Sequence, residues 1–394
     1  MAVIAPLPKR AIFTDEQNDY RESYARFLQN EVVPHYAEWR KNEIVPKSLF
    51  TKCAEYGFLA MEVPEEYGGP GVEDWRFNVV LGEEAVAAGV ADAMAGPLLH
   101  SDVVLPYLMA SATEEQKQRW LPDIAAGRKV LAIAMTEPGT GSDLAGIKTS
   151  AKRFRAERGS SENYIVNGSK TFITNGINCD MVVVAVRTSE DKHAGLSMLV
   201  IEDGMPGFTK GKQIEKLGQH ASDTSELFFD DCVVPADNLL GAEGTGFFQL
   251  VGRLVPERLI LSVTSMAGCE HALNITLDYV KERKAFGRPI GSFQHSRFTL
   301  AELKTKVEIS RCFVDRCIER YVAGTCTVEE AAMAKYWTTD LLSEITDAGV
   351  QLHGGYGYTT EYAIGKAWID ARVGRIYAGT NEIMKELIGK TMGL

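Results

Sequence analysis

Two stretches of this 394-residue chain carry residue types suited to holding a flat, partly polar ring. Residues 135–144 read Met-Thr-Glu-Pro-Gly-Thr-Gly-Ser-Asp-Leu and follow the apolar run Val130-Leu131-Ala132-Ile133-Ala134. The chain is therefore predicted to leave a strand and open into a turn of small residues with free backbone N–H groups and hydroxyls. Residues 168–176 read Gly-Ser-Lys-Thr-Phe-Ile-Thr-Asn-Gly, with Phe172 flanked by threonines ahead of Asn175-Gly176, a two-residue hairpin signal. Small residues let backbone lie against a ring, Phe172 can stack on it, and Thr174 can hydrogen-bond to it.

Three further segments extend the pattern: Arg283-Lys284-Ala285-Phe286-Gly287 with Gln294, Gln351-Leu352-His353-Gly354-Gly355-Tyr356-Gly357, and Tyr377-Ala378-Gly379-Thr380-Asn381-Glu382. One glycine-rich turn alone would read as a loop. Five segments in this order resemble the acyl-CoA dehydrogenase family over nearly the whole chain. The resemblance implies an FAD-dependent enzyme in which the flavin takes a hydride from the β-carbon of an acyl-CoA. A glutamate removes an α-proton, leaving a trans-2-enoyl thioester, so the protein supplies base, oxyanion site and orientation. The resemblance places Met135, Thr136, Gly141 and Ser142 along the isoalloxazine and the neighbouring thioester arm, with Phe172, Ile173 and Thr174 on the other side. It assigns Arg283, Phe286, Gln294, Gln351, Gly354 and Gly355 to the adenosine diphosphate half of a flavin shared with another subunit, and makes Thr380, Asn381 and Glu382 further FAD contacts. It also implies a homotetramer that passes electrons to an electron-transferring flavoprotein.

Many members of the family carry the catalytic glutamate where this chain has Ala378. A smaller branch, the long-chain and isovaleryl types, carries it instead early in a C-terminal helix, in a stretch that matches Leu254-Val255-Pro256-Glu257-Arg258-Leu259. Glu257 is therefore the expected base. Pro256 suggests a helix start, which would put Glu257 in a first turn where helix N–H groups favour a carboxylate, while an apolar acyl pocket would raise its pKa. The resemblance implies that Ala378 still offers its backbone N–H to the thioester oxygen, together with a ribityl hydroxyl of the flavin. Arg258 is read as a substrate neighbour or a structural ion-pair member. Residues 379–388 and 223–229 resemble the long-chain type most, and branched acyl chains or sterol side chains stay open. The competing readings are a reduced-flavin monooxygenase and a non-catalytic subunit of a mixed tetramer. The first usually lacks a helix-start glutamate, and the second would have lost flavin motifs that are all present.

Composition frames the elements that must position these residues. A net charge of −11 argues against nucleic acid or an anionic membrane as main partner. No apolar run approaches transmembrane length, so membrane insertion is not expected. Seven cysteines without a Cys-x-x-Cys pair read as reduced thiols rather than a metal or disulfide framework. An N-terminus without a leader pattern points to a cytoplasmic, bacterial setting. Helical periodicity from Thr14, with Tyr20, Tyr24, Phe27 and Leu28 on one face, predicts an N-terminal α-helical domain over 1–128. Short β-type runs at 164–166, 181–186, 196–201 and 226–229 predict a small β domain over 129–243. The stripe Leu300, Leu303, Val307, Val314, Cys317, Ile318 and Tyr321 predicts a four-helix bundle over 244–394. The expected fold is α+β, mainly α, in that order.

Overall fold

The computed structural model describes residues 10–155 and 162–394. The helical start at Thr14 is a reciprocal cap: its hydroxyl accepts from the Gln17 N–H, and the Gln17 side chain accepts from the Thr14 N–H. It opens α1 (Asp15–Phe27), followed by a π-helical turn at Leu28–Val32, α2 (Tyr36–Asn42), α3 (Ser48–Glu55), α4 (Arg76–Ala87) and α5 (Ala91–Leu98). A second π-helical turn (Leu99–Val104) leads into α6 (Leu105–Ser111), and α7 (Glu114–Ala125) starts on a second reciprocal cap, Thr113 with Gln116. The predicted apolar face of α1 meets an aromatic core in which Tyr20, Tyr24 and Phe27 pack on Phe58, with ring centroids 4.9–5.3 Å apart.

The middle of the chain is an eight-stranded sheet. Its strands are β1 (Leu131–Ala134), β2 (Ser150–Phe154), β3 (Asn163–Thr174), β4 (Met181–Arg187), β5 (Leu196–Glu202), β6 (Phe208–Gln213), β7 (Thr224–Pro235) and β8 (Leu239–Leu240). They lie in the order β6-β7-β3-β2-β4-β5-β8, with β1 running parallel to β4. Alternate residues of β1 and β4 serve two cores. Leu131, Ile133, Met181, Val183 and Ala185 pack on the N-terminal helices, whereas Ala132, Ala134, Val182, Val184 and Val186 fill the sheet's own core. Burial on both faces is why these strands read as continuous apolar runs without alternation.

The hairpin expected at Asn175-Gly176 is absent. β3 pairs with β2 and β7, and β4 pairs with β1, β2 and β5, so the two strands flanking Asn-Gly are not partners. Asn175 does take positive φ (61°), but its buried amide donates to the Gly96 carbonyl at 3.1 Å and the Leu131 carbonyl at 2.9 Å. The turn thereby ties the β domain to α5.

The C-terminal region is built on three long helices, α8 (Gly246–Glu282), α9 (Gln294–Val322) and α10 (Val328–His353), with shorter α11 (Ala363–Ala371) and α12 (Asn381–Thr391). The short antiparallel pair β9 (Lys284–Ala285) and β10 (Arg288–Pro289) joins α8 to α9. Leu300, Leu303, Val307, Val314, Cys317 and Ile318 are buried as the stripe requires. No helix among the described residues is long and apolar enough to cross a membrane.

Candidate active site

Glu257 does not lie at a helix start. α8 begins at Gly246, so Pro256 is inside the helix and Glu257 lies about three turns in. Pro256 has no N–H, so the Gly252 carbonyl loses its usual helical donor, a tolerated defect rather than a cap. Remote from the helix N-terminus, Glu257 gains little from the dipole, whose effect fades within the first turn. Burial decides instead. The side chain is 7% exposed, and desolvation pushes the carboxyl up to about 7 against the opposing pull of the Tyr107 hydrogen bond and the charges of Arg258 and Arg253. A carboxyl ionising near neutrality suits proton abstraction.

Tyr107, which the sequence reading passed over, is the direct partner. From α6 its buried hydroxyl donates to Glu257 Oε1 at 2.8 Å. No local sequence signal pairs residues 150 positions apart. Because this bond favours the ionised carboxylate, Tyr107→Phe is expected to move the acidic limb of the activity profile upward by about one pH unit. An unmoved limb in a pH series with one good substrate would show that the tyrosine does not tune the base.

The 135–142 and 168–176 segments come together as expected. Beyond β1, the Thr136 carbonyl accepts from the Thr171 N–H at 2.9 Å, and the Met135 carbonyl accepts from the Lys170 ammonium at 3.0 Å. Lys170 is fully buried and pairs with Glu137 at 2.9 Å. Burial alone would raise the Glu137 carboxyl, but Lys170 and hydrogen bonds from Lys148 and Thr149 hold it below its ordinary value. Burial in turn lowers the Lys170 ammonium to about 8. This clamp fixes Thr136 beside Phe172, which takes φ of 59° and is 66% exposed. An aromatic held in strained backbone and shown to solvent is placed to cover a flat ligand. Gly141 and Ser142 are exposed on the same turn, while Ile173 is buried and Thr174 half-buried.

Ala378 also has positive φ (53°), and its N–H donates to no backbone carbonyl among the described residues. That leaves the donor open to a ligand oxygen. Arg258 is 2% exposed with Nε and Nη1 unpartnered, and Nη2 lies 3.7 Å from where a side chain at Gly379 would begin. It stands behind the 378–379 turn and makes no ion pair there. Lys335 holds the same turn, donating to the Gly379 carbonyl at 2.6 Å and to Asn381 Oδ1 at 2.8 Å.

Arg283, Gln351, Gly354 and Gly355 line a second cleft, of about 500 Å³, with Tyr279, His353 and Tyr356. Gly354 (φ 61°) and Gly355 have open space where a Cβ would project, so bare backbone faces the cleft. The Arg283 guanidinium lies over the Tyr356 ring at 5.4 Å. None of the residues from 135 to 174 lines this cleft. Phe286, at φ 53°, is 96% exposed beside it in the chain, and Gln294 opens α9.

These arrangements match known proteins along the whole chain. Acyl-CoA dehydrogenase N-terminal, middle and C-terminal domain families match residues 14–128, 132–232 and 244–393. The chain belongs to the acyl-CoA dehydrogenase family. It is 42% identical over 384 residues to the mitochondrial long-chain specific acyl-CoA dehydrogenase of Mus musculus, covering 97% of this chain and 87% of that one. A crystal structure of acyl-CoA dehydrogenase from Geobacillus kaustophilus superposes with a TM-score of 0.93 at 45% identity, over 98% of this chain and all of the other. A glutaryl-CoA dehydrogenase from Mycobacterium smegmatis, solved in complex with FADH2, superposes at 0.86 with 25% identity, over 97% and 95% of the two chains.

Membership makes the chain an FAD-dependent acyl-CoA dehydrogenase. The residues fit that cofactor: the exposed Phe172 beside Thr136 suits a planar ring, and Arg283 with the bare 354–355 backbone suits a pyrophosphate. Two of the expected flavin contacts differ in kind. Asn381 is 1% exposed, and its amide donates to Thr339 and Asp340 while its oxygen accepts from Lys335, so its side chain locks α12 to α10 and is not free for a ligand. Thr380 caps α12, its hydroxyl accepting from the Ile383 N–H. Glu382, in the first turn of α12, stays exposed.

Proposed function

We propose that the chain oxidises a long-chain fatty acyl-CoA to its trans-2-enoyl-CoA, with Glu257 as the α-proton base. The observation that carries this reading is a buried carboxyl ionising near neutrality at position 257, together with an alanine at 378. FAD, when bound, supplies the hydride acceptor. The Ala378 N–H binds the thioester oxygen and acidifies the α-carbon, Glu257 takes the proton, and Tyr107 steadies the ionised carboxylate beforehand. Thr136 and Phe172 hold the ring, and the Arg283 cleft holds the phosphates. The long-chain assignment draws on the 42% identity with the mouse enzyme. Rates across a ladder of straight and branched acyl-CoAs test it: the optimum is expected on long straight chains, and an optimum on short branched chains would transfer the chain to the isovaleryl type.

The family resemblance implies a flavin shared between two copies of the chain, and the separate linings of the phosphate cleft and the ring-holding turn are compatible with that. Exposed apolar side chains on the C-terminal helices, among them Phe298, Ile309, Trp337 and Trp368, supply surface for a homotetramer. An electron-transferring flavoprotein is the acceptor that the family's chemistry calls for. Sedimentation of the FAD-loaded protein checks the assembly, and a monomer retaining full flavin would contradict it.

A further inference from the structure

Behind the turn that carries the Ala378 N–H sit two buried cations that proton abstraction itself does not use. Lys335 of α10 is fully buried, and its ammonium donates to the Gly379 carbonyl at 2.6 Å and to Asn381 Oδ1 at 2.8 Å, both neutral oxygens. Arg258 of α8 reaches the same turn, its Nη2 lying 3.7 Å from where a side chain at Gly379 would begin, with Nε and Nη1 unpartnered. Among the described residues neither cation forms an ion pair.

A structural buried lysine looks different in this molecule. Lys170, equally deep, is neutralised by Glu137 at 2.9 Å. A buried charge left without a partner costs free energy unless a counter-charge arrives. The carboxylates around Lys335 do not supply one: Asp340 is held by Arg375 at 2.7 Å and by the Asn381 amide at 2.9 Å, and Glu382 is exposed in the first turn of α12. The turn itself is strained, because Ala378 and Gly379 take consecutive positive φ values of 53° and 87°. Backbone of that kind persists only where its surroundings hold it, and the bond from Lys335 to the Gly379 carbonyl is such a hold.

We propose that Lys335 is a positioning residue for the thioester oxygen: through the Gly379 carbonyl it sets the direction of the Ala378 N–H, and its charge, with that of Arg258, favours the enolate that α-proton removal creates. This rests on the roles given above to Glu257 and Ala378. The α-C–H bond breaks, the proton goes to the Glu257 carboxylate, and the electron pair moves onto the thioester oxygen. Negative charge thus leaves Glu257 and arrives at the turn that the two cations back. Charges and donors set in place beforehand act most where charge develops, since nothing need reorganise at that moment. Burial and the neighbouring Arg258 bring the Lys335 ammonium down to about 8, with Asp340 and Glu382 opposing them and Arg375 adding to them. The charge is therefore present below that pH and lost above it, so kcat/KM is expected to rise as Glu257 ionises near 7 and to fall again as Lys335 loses its proton near 8.

The test compares the FAD-loaded wild type with Lys335→Met, which keeps the length of the side chain and removes its charge and its bond. Flavin reduction by a long-chain acyl-CoA is expected to slow by about 10², with KM within about twofold of wild type and the alkaline limb of the profile gone. An acyl-CoA with sulfur in place of its β-carbon has no β-hydride to give, so exchange of its α-hydrogens in D2O reports the enolate step alone. That exchange should slow by the same factor. Wild-type rates of reduction and exchange in Lys335→Met would overturn the proposal. Should the variant fail to fold or to keep FAD, the wild-type profile decides, and a kcat/KM that stays level from about pH 7.5 to 9.5 overturns it equally. Glu257→Gln in the same assays separates the two readings. If it is slow where Lys335→Met is not, the base assignment stands alone; if both match wild type, both assignments fall.

Discussion

Glu257→Gln is expected to lower turnover by roughly 10² to 10⁴ while FAD and acyl-CoA still bind, because it removes the proton acceptor and almost no volume. The same change should stabilise the protein at alkaline pH. The folded-state carboxyl ionises at about 7 against an ordinary value of 4.5, so its favourable contribution is complete below 4.5 and is lost as pH rises through 7. Above that, the buried charge costs about 3 kcal/mol, which glutamine avoids while still accepting from Tyr107. Thermal melts at pH 8 should therefore show the variant more stable than wild type, with the gain shrinking toward pH 5. Equal melting temperatures at pH 8, or wild-type turnover, would remove Glu257 from the role of buried base.

Arg283→Ala is expected to give the second large effect. Its guanidinium is exposed and held over Tyr356 in the cleft with the bare 354–355 backbone, so its loss should strip charge-assisted bonds from the flavin phosphates. Each such bond contributes about 1.5–3 kcal/mol, enough to lower FAD affinity by one to two orders of magnitude. Bound flavin stabilises whatever assembly holds it, so the melting temperature and the oligomer should fall together and recover with added FAD. Flavin absorbance of the purified variant, followed by gel filtration with and without FAD, measures both. A full-flavin protein with unchanged melting would place the phosphates elsewhere.

Much of this architecture was legible where a local rule sufficed. The reciprocal caps at Thr14 and Thr113, and a third at Thr327 with Glu330 that opens α10, are hydrogen-bond patterns between residues three apart. The runs that became β4 and β5 are apolar over 181–186 and, apart from Ser197, over 196–201, because both faces are buried. β2 and β6 carry lysines and arginine on exposed positions and gave no comparable signal. Pro256 misled because a proline suits the first turn of a helix, yet here a 37-residue helix accommodates it internally. Asn175-Gly176 has the composition of a hairpin turn, but its amide is used across domains. The site shows the same division. Segments that meet through backbone near their own strands, such as Thr136 with Thr171, could be paired from motifs. Tyr107 with Glu257 joins distant helices through side chains, and nothing short-range marks the pair.

The measurement closest to the central claim is anaerobic stopped-flow reduction of the bound flavin by a long-chain acyl-CoA, in wild type and Glu257→Gln, from below to above pH 7. Wild type should bleach faster as pH rises through about 7, with slowing when the α-hydrogens are deuterium. The variant should bleach slowly at every pH despite full flavin content and substrate binding. Bleaching of the variant at the wild-type rate, with the same pH dependence and isotope effect, would contradict the claim that Glu257 removes the α-proton.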